Sequence, residues 1–368
     1  MSSDSSYADL LPLMEERLLN QLPFAVFRLP HEGLNLYEVG LSHVAKVREI
    51  TAEELQKRSD AAGFVVAPFL STPDRPMLFI EGGDGAQAFC LSSAEIGVAS
   101  VEHTSVNLSA ELPEDYRTAF EHFMNQLQSG EVAKLVLAHS MELPSVDITR
   151  VVIGFVQALE CYPSAFVALF YTPQSGLWLS ATPEMLLRGG GQEWQSVALA
   201  GTMERQQSST LACWSEKNKR EHQFVCHFIS DLLQAEEIPF TTHPIESIPS
   251  GDLQHLQARF SFQLPKGYAP ITLAAKLHPT PAICGTPQKM AREIILEEEQ
   301  CSRSYYSGYI GWYEPLKRVD LFVHIRCLQL LPNRALRLYA GGGIVLGSQL
   351  ETEWAEVLQK MKAIYSLL

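Results

Sequence analysis

The strand-like segments of this 368-residue chain arrive mostly as adjacent pairs, and this order strongly constrains the fold. AFVALFY and GLWLSA form one such pair, and the runs near 319–331 and 335–340 form another. Strands joined by tight turns pair antiparallel, whereas parallel strands need a long crossover between them. The predicted helices come as separate insertions, near 5–21, 114–129, 217–234 and 286–299. The pattern therefore predicts an α+β fold with large antiparallel β-sheets rather than a doubly wound βαβ fold.

The composition excludes several classes of protein. A formal net charge of −14 argues against nucleic acid or an anionic membrane as the main partner. No apolar run reaches membrane-spanning length, and the acidic first residues do not resemble a signal peptide. The seven cysteines are scattered without a C-x-x-C pair, as is typical of reduced core thiols in a cytosolic protein. No glycine-rich phosphate-binding motif follows a strand, so a nucleotide cofactor has no support.

One lysine interrupts an otherwise apolar strand, AKLVLAHS, at position 134. Strand alternation places Lys134 on one face with Val136 and Ala138, and His139 on the other face. Burying an ammonium without a partner costs several kcal/mol. Lys134 is therefore expected either at a sheet edge, which is the plainer interpretation, or in a functional site.

Two glutamates in predicted helices are each open to two interpretations. Glu221 lies three and four residues before Phe224 and Val225, on the buried stripe, although a carboxylate is also favoured near a helix N-terminus. Glu356 and Lys360 have the spacing of an exposed i,i+4 ion pair. The alternative is that both glutamates converge on a hard cation such as Mg²⁺, which favours carboxylate, water and substrate oxygens.

The segment before the last helix carries two further signals. The glycine run Gly341–Gly343 would let backbone N–H groups approach an anion closely. Ser348 and Glu351 have the spacing of a capping box, which predicts that the helix opens there.

Three polar side chains stand in apolar or rigid surroundings. Glu184 follows a Thr-Pro turn in TPEMLL, and His278 opens the proline-rich loop LHPTPAICGTP, where a structural role is the plainer interpretation. Arg326 lies inside the apolar strand HIRCLQL. A buried arginine either forms a salt bridge or clamps a carboxylate with two hydrogen bonds.

Taken in order, these segments resemble the chorismate-utilising enzymes, and most closely the isochorismate synthases. Eleven short matches span residues 131–362: AKLVLAHS, YPSAFVALFYTP, LWLSATPEMLL, ALAGTMER, SEKNKREHQ, HLQARFSF, LHPTPAICGTP, SRSYYSGYIGW, HIRC, YAGGGIV and EWAEVLQK. The resemblance implies one domain over 1–368, with antiparallel sheets packed in layers and helices outside. Residues 1–110 would be a divergent part of the same sheet, and 111–368 would carry the catalytic motifs.

The resemblance also implies roles for the polar groups. Lys134 would be the general base that helps water attack C2 of chorismate, and Glu184 the general acid that protonates the departing C4 hydroxyl. Mg²⁺ would be held by Glu221 and Glu356 and would bind the ring carboxylate. Arg326 would contact the enolpyruvyl carboxylate. The other positions that match substrate-contacting residues of the family are Tyr306, Gly341, Gly343, Lys360, His278, Gly201 and Thr202.

The lysine at position 134 separates the water-adding members of the family from the aminating members, which lack it. Within the first group, a salicylate synthase, which goes on to eliminate pyruvate, is the alternative. A catalytically weak chorismate-binding subunit is the alternative from another class. The expected protein is cytoplasmic, a monomer or a weak homo-oligomer, and its product would feed menaquinone or siderophore biosynthesis.

Four residues depart from the family pattern and put substrate affinity and rate in question. His139 stands where arginine is common, and Asn218 replaces an aspartate. Cys301 and Ser304 stand where the family usually has phenylalanine and glycine.

Overall fold

The structure is a computed structural model and describes residues 4–5, 7–41, 43–82, 87–91, 108–205, 211–250, 253–300 and 302–368. Its helices within these ranges are α1 (Tyr7–Leu19), α2 (Ala52–Leu55), α3 (Glu114–Ser129), α4 (Ile148–Cys161), α5 (Glu216–Ala235), α6 (Pro270–Leu277), α7 (Gln288–Glu298) and α8 (Leu350–Tyr365). Its strands are β1 (Asp4–Ser5), β2 (Phe24–Arg28), β3 (Asn35–Val39), β4 (Val47–Glu49), β5 (Gly63–Ala67), β6 (Leu78–Glu81), β7 (Gln87–Leu91), β8 (Lys134–Ser145), β9 (Phe166–Thr172), β10 (Gly176–Thr182), β11 (Met185–Gly190), β12 (Glu193–Glu204), β13 (Phe240–Thr242), β14 (Glu246–Ser250), β15 (Leu253–Phe262), β16 (Gly285–Thr286), β17 (Tyr309–Glu314), β18 (Arg318–Val323), β19 (Cys327–Leu330) and β20 (Ala335–Ile344).

The strands form two large sheets. The first has the order β1-β7-β3-β2-β9-β10-β19-β20-β8-β16, and the second has the order β13-β15-β12-β11-β18-β17-β5-β6-β4, with β14 also paired to β15. β1 and β7 pair in parallel, while the other pairs are antiparallel. The predicted hairpin of AFVALFY and GLWLSA is the β9–β10 pair. The sheets therefore confirm the antiparallel α+β prediction.

The apolar residues divide into three clusters that define the layers. An aromatic-rich cluster draws on strands of both sheets, and within it the rings of Phe166 and Phe322 stack at 4.4 Å. A second cluster joins the first sheet to α1, α3, α4, α7 and α8, and a third joins the second sheet to α5 and α6. Each sheet thus buries one face against the other sheet and one face under helices, as predicted.

The lysine strand β8 is not at an open edge of its sheet. β20 pairs with it along most of its length, and β16 pairs with Lys134 and Leu135 on the other side. The expectation of an edge lysine is therefore wrong, because Lys134 is fully buried between two strands. The functional alternative gains support.

Several predicted boundaries hold, and one does not. α3 covers Glu114–Ser129 and ends at Gly130, whose left-handed backbone suits glycine. The capping box predicted for Ser348 and Glu351 is wrong: α8 begins at Leu350 without a side-chain cap. Ser348 Oγ instead accepts a hydrogen bond from the backbone N–H of Val345.

Strands from the first part of the chain lie in both sheets, beside strands from 111–368. β2 pairs with β9 in the first sheet, and β5 pairs with β17 in the second. Residues 1–110 thus contribute strands to both sheets rather than to a single sheet, and the single domain over 1–368 stays a prediction. In the described part of the chain, none of the helices combines the length and apolar character needed to cross a membrane.

Candidate active site

A pocket with about 670 Å³ of space, part of it open to solvent, is lined by both sheets and by α5 and α8. Two of the predicted site residues, Lys134 and His278, are not among the lining residues. All the others line it: Glu184, Gly201, Thr202, Glu221, Tyr306, Arg326, Gly341, Gly343, Glu356 and Lys360.

Lys134 lies directly behind the pocket wall. Its side chain is fully buried, and its Nζ lies 2.9 Å from Oε1 of Glu221 on α5. A Cβ atom at Gly343 would lie 2.1 Å from that carboxylate oxygen and 3.0 Å from Cε of Lys134. Glycine at position 343 therefore makes room for both side chains, and the ion pair offsets the cost of burying the ammonium.

Glu184 is the most deeply buried carboxyl group of the pocket wall, at 3% exposure. Burial raises its pKa to about 7, against the opposing effects of Lys134 and of a hydrogen bond from Thr280. Thr280 Oγ1 lies 3.4 Å from Glu184 Oε1. The Glu184 backbone is held on both sides, since its N–H donates to Thr182 and its carbonyl accepts from Val323. Glu184 can therefore carry a proton near neutral pH.

Glu356 and Lys360 form the predicted i,i+4 pair on α8, at 2.7 Å. The pair is partly buried rather than exposed, and Lys360 Nζ also donates to the carbonyl of Gly341. Burial would raise the pKa of Glu356, but Lys360, with a smaller effect of Lys217, outweighs burial and holds the pKa below its usual value. Glu356 is thus held as an ionised carboxylate.

Arg326 projects into the pocket from the turn between β18 and β19. Its backbone has φ of 50°, in the left-handed region that few side chains adopt. Its Nη2 lies 3.2 Å from His255 Nε2, and His255 Nδ1 lies 3.0 Å from the carbonyl of Gly201. Burial and the Arg326 charge lower the pKa of His255 to about 3. A neutral His255 therefore donates to Gly201 through Nδ1 and accepts from Arg326 through Nε2.

Glycines and aromatic rings shape the rest of the wall. Gly201 occupies a β-bulge of β12, with φ of +76°, and this turns its carbonyl towards His255. Thr202 Oγ1 lies 3.4 Å from His255 Nδ1. Tyr306 stacks on Tyr339, and its hydroxyl would lie 3.1 Å from a Cβ at Gly341. A larger residue than glycine would crowd the phenol of Tyr306.

The structure does not bring His278 into this pocket. Its Nε2 lies 3.1 Å from the backbone carbonyls of both Pro68 and Phe69, and its ring lines a separate groove. The loop instead turns Thr280 towards Glu184. The prediction that His278 contacts substrate therefore gains no support, whereas the plainer structural role accounts for its contacts.

The departures from the family pattern mostly have local explanations. Asn218 Nδ2 donates to the carbonyl of Thr202, a bond that an aspartate could not donate. Ser304 has φ of 51°, which explains why glycine suits this position. His139 packs edge-on against Trp354, and burial lowers its pKa. Cys301 lies outside the described residues.

Two polar residues of the site were not assigned a role from the sequence, although signals for both were present. His255 opens the quoted segment HLQARFSF and supports Arg326. Lys217 precedes Glu221 by one helical turn and pairs with the buried Glu353, itself three residues before Glu356. The available signal was the helical spacing from Glu221 for Lys217, and the position in a segment that matches the family for His255.

Glu221 and Glu356 are the groups of the pocket that could hold a cation. Among the described residues, no group of three or more His, Cys, Asp or Glu side chains is arranged to hold a metal ion. Mg²⁺ does not need such a group, because it commonly binds one or two carboxylates and keeps waters or substrate oxygens. Two ionisable carboxylates beside a glycine-lined wall fit a Mg²⁺ ion of this kind.

A model of known protein families, described as chorismate binding enzyme, matches residues 85–368. The chain belongs to the chorismate-binding enzyme family. This membership confirms the resemblance seen in the sequence. Among curated relatives of this chorismate-binding enzyme, isochorismate synthase EntC of Escherichia coli strain K12 is 33% identical over 209 residues, which are 54% of this chain and 53% of EntC. The match therefore spans about half the length of EntC.

Two further comparisons cover more of the chain. Isochorismate synthase DhbC of Bacillus subtilis strain 168 is 31% identical over 272 residues, which are 68% of this chain and 67% of DhbC. The solved structure of MenF, the menaquinone-specific isochorismate synthase from Escherichia coli, superimposes with a TM-score of 0.74, covering 95% of this chain and 89% of MenF. At 22% identity, MenF shows that the fold is shared.

Proposed function

We propose that this chorismate-binding enzyme is an isochorismate synthase, which adds water at C2 of chorismate and releases the C4 hydroxyl. One observation carries the proposal: a fully buried lysine and a buried, protonatable glutamic acid adjoin the same pocket. The remaining polar groups of that pocket are suited to a dianion. The curated relatives EntC and DhbC, both named isochorismate synthases, support the same activity.

Lys134 is the proposed general base. As a neutral amine it would accept a proton from water while the water oxygen bonds to C2 of the ring. In the structure its ammonium is paired with Glu221, so that carboxylate must be neutralised by another cation before Lys134 can act. Removal of a proton from water at C2 is the step that an aminating enzyme does not need.

Glu184 is the proposed general acid. It would transfer its proton to the C4 oxygen as the C4–O bond breaks, while the ring double bonds shift and the departing hydroxyl leaves as water. A carboxyl group with a pKa of about 7 holds a proton for this step near neutral pH. Glu184 thus donates the proton that the C4 oxygen gains, and Lys134 accepts the proton that the attacking water loses at C2.

The substrate is a dianion, and the pocket offers separate cations for it. Arg326, held by His255, is placed to clamp one carboxylate with two hydrogen bonds. Lys360, held by Glu356, supplies a second cation beside the Gly341 carbonyl. These cations explain how a chain with a net charge of −14 can bind an anion.

Mg²⁺ is the proposed cofactor, with Glu221 and Glu356 as its protein ligands. When bound, it would neutralise these carboxylates and attract the ring carboxylate of the substrate. The two glutamates line the same pocket, which supports the assignment. Pairing of Glu221 with Lys134 would then give way to pairing with the metal, leaving Lys134 free to act as a base.

Incubation of the purified protein with chorismate and Mg²⁺, followed by separation of the products, tests the proposal. Isochorismate as the sole product supports it. Salicylate with pyruvate supports a salicylate synthase instead, and no turnover supports a catalytically weak binding subunit. We further propose a cytoplasmic enzyme, a monomer or weak homo-oligomer, whose product enters menaquinone or siderophore biosynthesis.

A further inference from the structure

Within the described residues, β8, the strand that carries Lys134, has the two-residue strand β16 as its partner on one side. β16 pairs with Lys134 and Leu135, and the N–H of Val136 then donates to the carbonyl of Cys284. The next backbone groups along β8 on this side are the carbonyl of Val136 and the N–H of Ala138. Both must find partners, because buried backbone groups without hydrogen bonds are costly.

An ion pair bonds these two groups in place of a further strand. Arg303 Nη2 donates to the carbonyl of Val136 at 2.7 Å, and the N–H of Ala138 donates to Glu299 Oε1 at 2.6 Å. Arg303 and Glu299 are joined by two hydrogen bonds, of 2.6 and 2.7 Å, and each side chain is only 4% exposed. The pair therefore extends the β8 ladder through side chains.

The same arginine reaches the loop that supports Glu184. Arg303 Nη1 donates to the carbonyl of Ile283 at 2.7 Å, three residues after Thr280. Thr280 in turn lies 3.4 Å from Glu184. A single guanidinium thus bonds the strand of the proposed base and the loop that contacts the proposed acid.

The guanidinium itself is tightly held. The Phe69 ring lies 4.2 Å from its central carbon, and this ring packs against the carbonyl-bonded His278. A buried ion pair is weak evidence for stability, because removing two charges from water offsets much of their attraction. Its bonds to two segments of the wall suggest a role in geometry.

We infer that Arg303 and Glu299 are positioning residues, which hold the Lys134 strand and the Thr280 loop at the separation that acid and base need. The inference rests on the proposed function. Neither side chain lines the pocket, so both act through other residues. A displacement of about 1 Å in such a site can lower turnover on the order of 100-fold.

Substitution Arg303→Lys tests the inference, because an ammonium keeps the charge but lacks the planar fork that joins Glu299, Val136 and Ile283. We expect kcat to fall at least about tenfold with a smaller change in KM. Glu299→Gln keeps an oxygen that can accept from the Ala138 N–H, so its kcat should fall less than that of Arg303→Lys. Arg188→Lys is the matched control, since Arg188 pairs with the buried Asp320 away from the pocket.

The pH profile gives a readout that a purely structural role would not move. The charged and polar groups that act on Glu184 are Lys134, Thr280, Lys360 and Arg326. The Thr280 hydroxyl favours the ionised carboxylate, so its withdrawal would raise the pKa of Glu184. The alkaline limb of kcat should therefore move to higher pH in Arg303→Lys and stay in place in Arg188→Lys.

Hydrogen exchange without substrate keeps the test independent of activity. We expect faster exchange in peptides covering 134–140 and 279–285 in Arg303→Lys, and unchanged exchange there in Arg188→Lys. If Arg303→Lys does not fold, Glu299→Gln is judged by the same criteria. The inference is overturned if the kcat, the alkaline limb and the exchange pattern of Arg303→Lys all match those of the Arg188→Lys control. If the wild type makes no isochorismate, the proposed function fails, and exchange alone decides whether the pair positions both segments.

Discussion

The Lys134 ammonium, behind the pocket wall, lies 2.9 Å from the carboxylate of Glu221, which lines the pocket. The proposed base and a proposed metal ligand therefore neutralise each other. Because Lys134 is fully buried, loss of either partner leaves the other charge poorly solvated. The proposed base and the proposed metal ligand are therefore linked, because a cation bound to Glu221 would remove the counter-ion of Lys134.

Substitution Lys134→Ala should abolish isochorismate formation and lower the melting temperature, because Glu221 loses its buried partner, while the chain still folds. Loss of a general base typically lowers turnover by about 10²–10⁴-fold. Steady-state turnover with chorismate, together with a circular dichroism spectrum and melting curve, measures both effects.

The control for this variant is Lys219→Ala, which removes a lysine of α5 that pairs with the exposed Glu216. Exposed pairs of this kind contribute little to stability. Turnover of Lys219→Ala should match the wild type. An active Lys134→Ala protein would show that another group accepts the proton.

Local patterns predicted the strands and most helices, because alternation and helical spacing depend on neighbouring residues. α3, for example, begins at Glu114 and ends at Ser129 as predicted. The α8 cap was predicted wrongly because the Ser348 hydroxyl accepts a hydrogen bond from the backbone N–H of Val345, behind it, rather than from a backbone N–H of the helix ahead. Spacing alone does not reveal which of two nearby N–H groups a hydroxyl accepts from.

The site could be predicted only in part. The resemblance brought Glu184, Glu221 and Glu356 to one pocket, and the structure places all three there. His278 does not line this pocket because its loop directs the ring to backbone carbonyls, and only the folded path of residues 68–69 decides this. The support of Arg326 by His255 joins positions 71 residues apart, which no local pattern encodes.

Turnover should fall as pH rises through about 7, because Glu184 must hold a proton and its pKa is about 7. Glu184→Gln should lose turnover, since an amide does not donate a proton at C4. A pH profile of kcat measures where this alkaline limb lies. An alkaline limb that persists unchanged in a residually active Glu184→Gln protein would assign the limb to another group.

Glu184 also makes stability depend on pH. Its folded pKa lies above the usual 4.5, so the folded state binds this proton more tightly than the unfolded chain does. The resulting stabilisation is complete below about pH 4.5 and is lost as pH rises to about 7. Between these values the wild type should lose about 3 kcal/mol relative to Glu184→Gln. Urea unfolding of both proteins across this range measures the difference, and parallel curves would contradict it.

Arg326→Lys should raise KM for chorismate more than it lowers kcat. A lysine keeps the charge but loses the bidentate clamp, and a hydrogen bond to a charged group contributes about 1.5–3 kcal/mol, which corresponds to a KM increase of about 10- to 150-fold. His255→Phe should act in the same direction, since it removes the acceptor that holds Arg326. Arg334→Lys, at an exposed pair with Asp147, is the control. An unchanged KM in both site variants would remove Arg326 from substrate binding.

Mg²⁺ should stabilise the protein against thermal unfolding through Glu221 and Glu356. A ligand present at 100 times its dissociation constant stabilises the folded state by about 2.7 kcal/mol. Glu356→Gln removes one charged ligand and leaves Lys360 without its counter-ion, so the amide variant should bind Mg²⁺ at least about tenfold more weakly. Glu351→Gln, an exposed glutamate in the first turn of the same helix, is the control and should bind as the wild type does. Isothermal titration calorimetry with MgCl₂ alone measures the affinities without relying on turnover. Equal affinities in the wild type and Glu356→Gln would exclude Glu356 as a metal ligand.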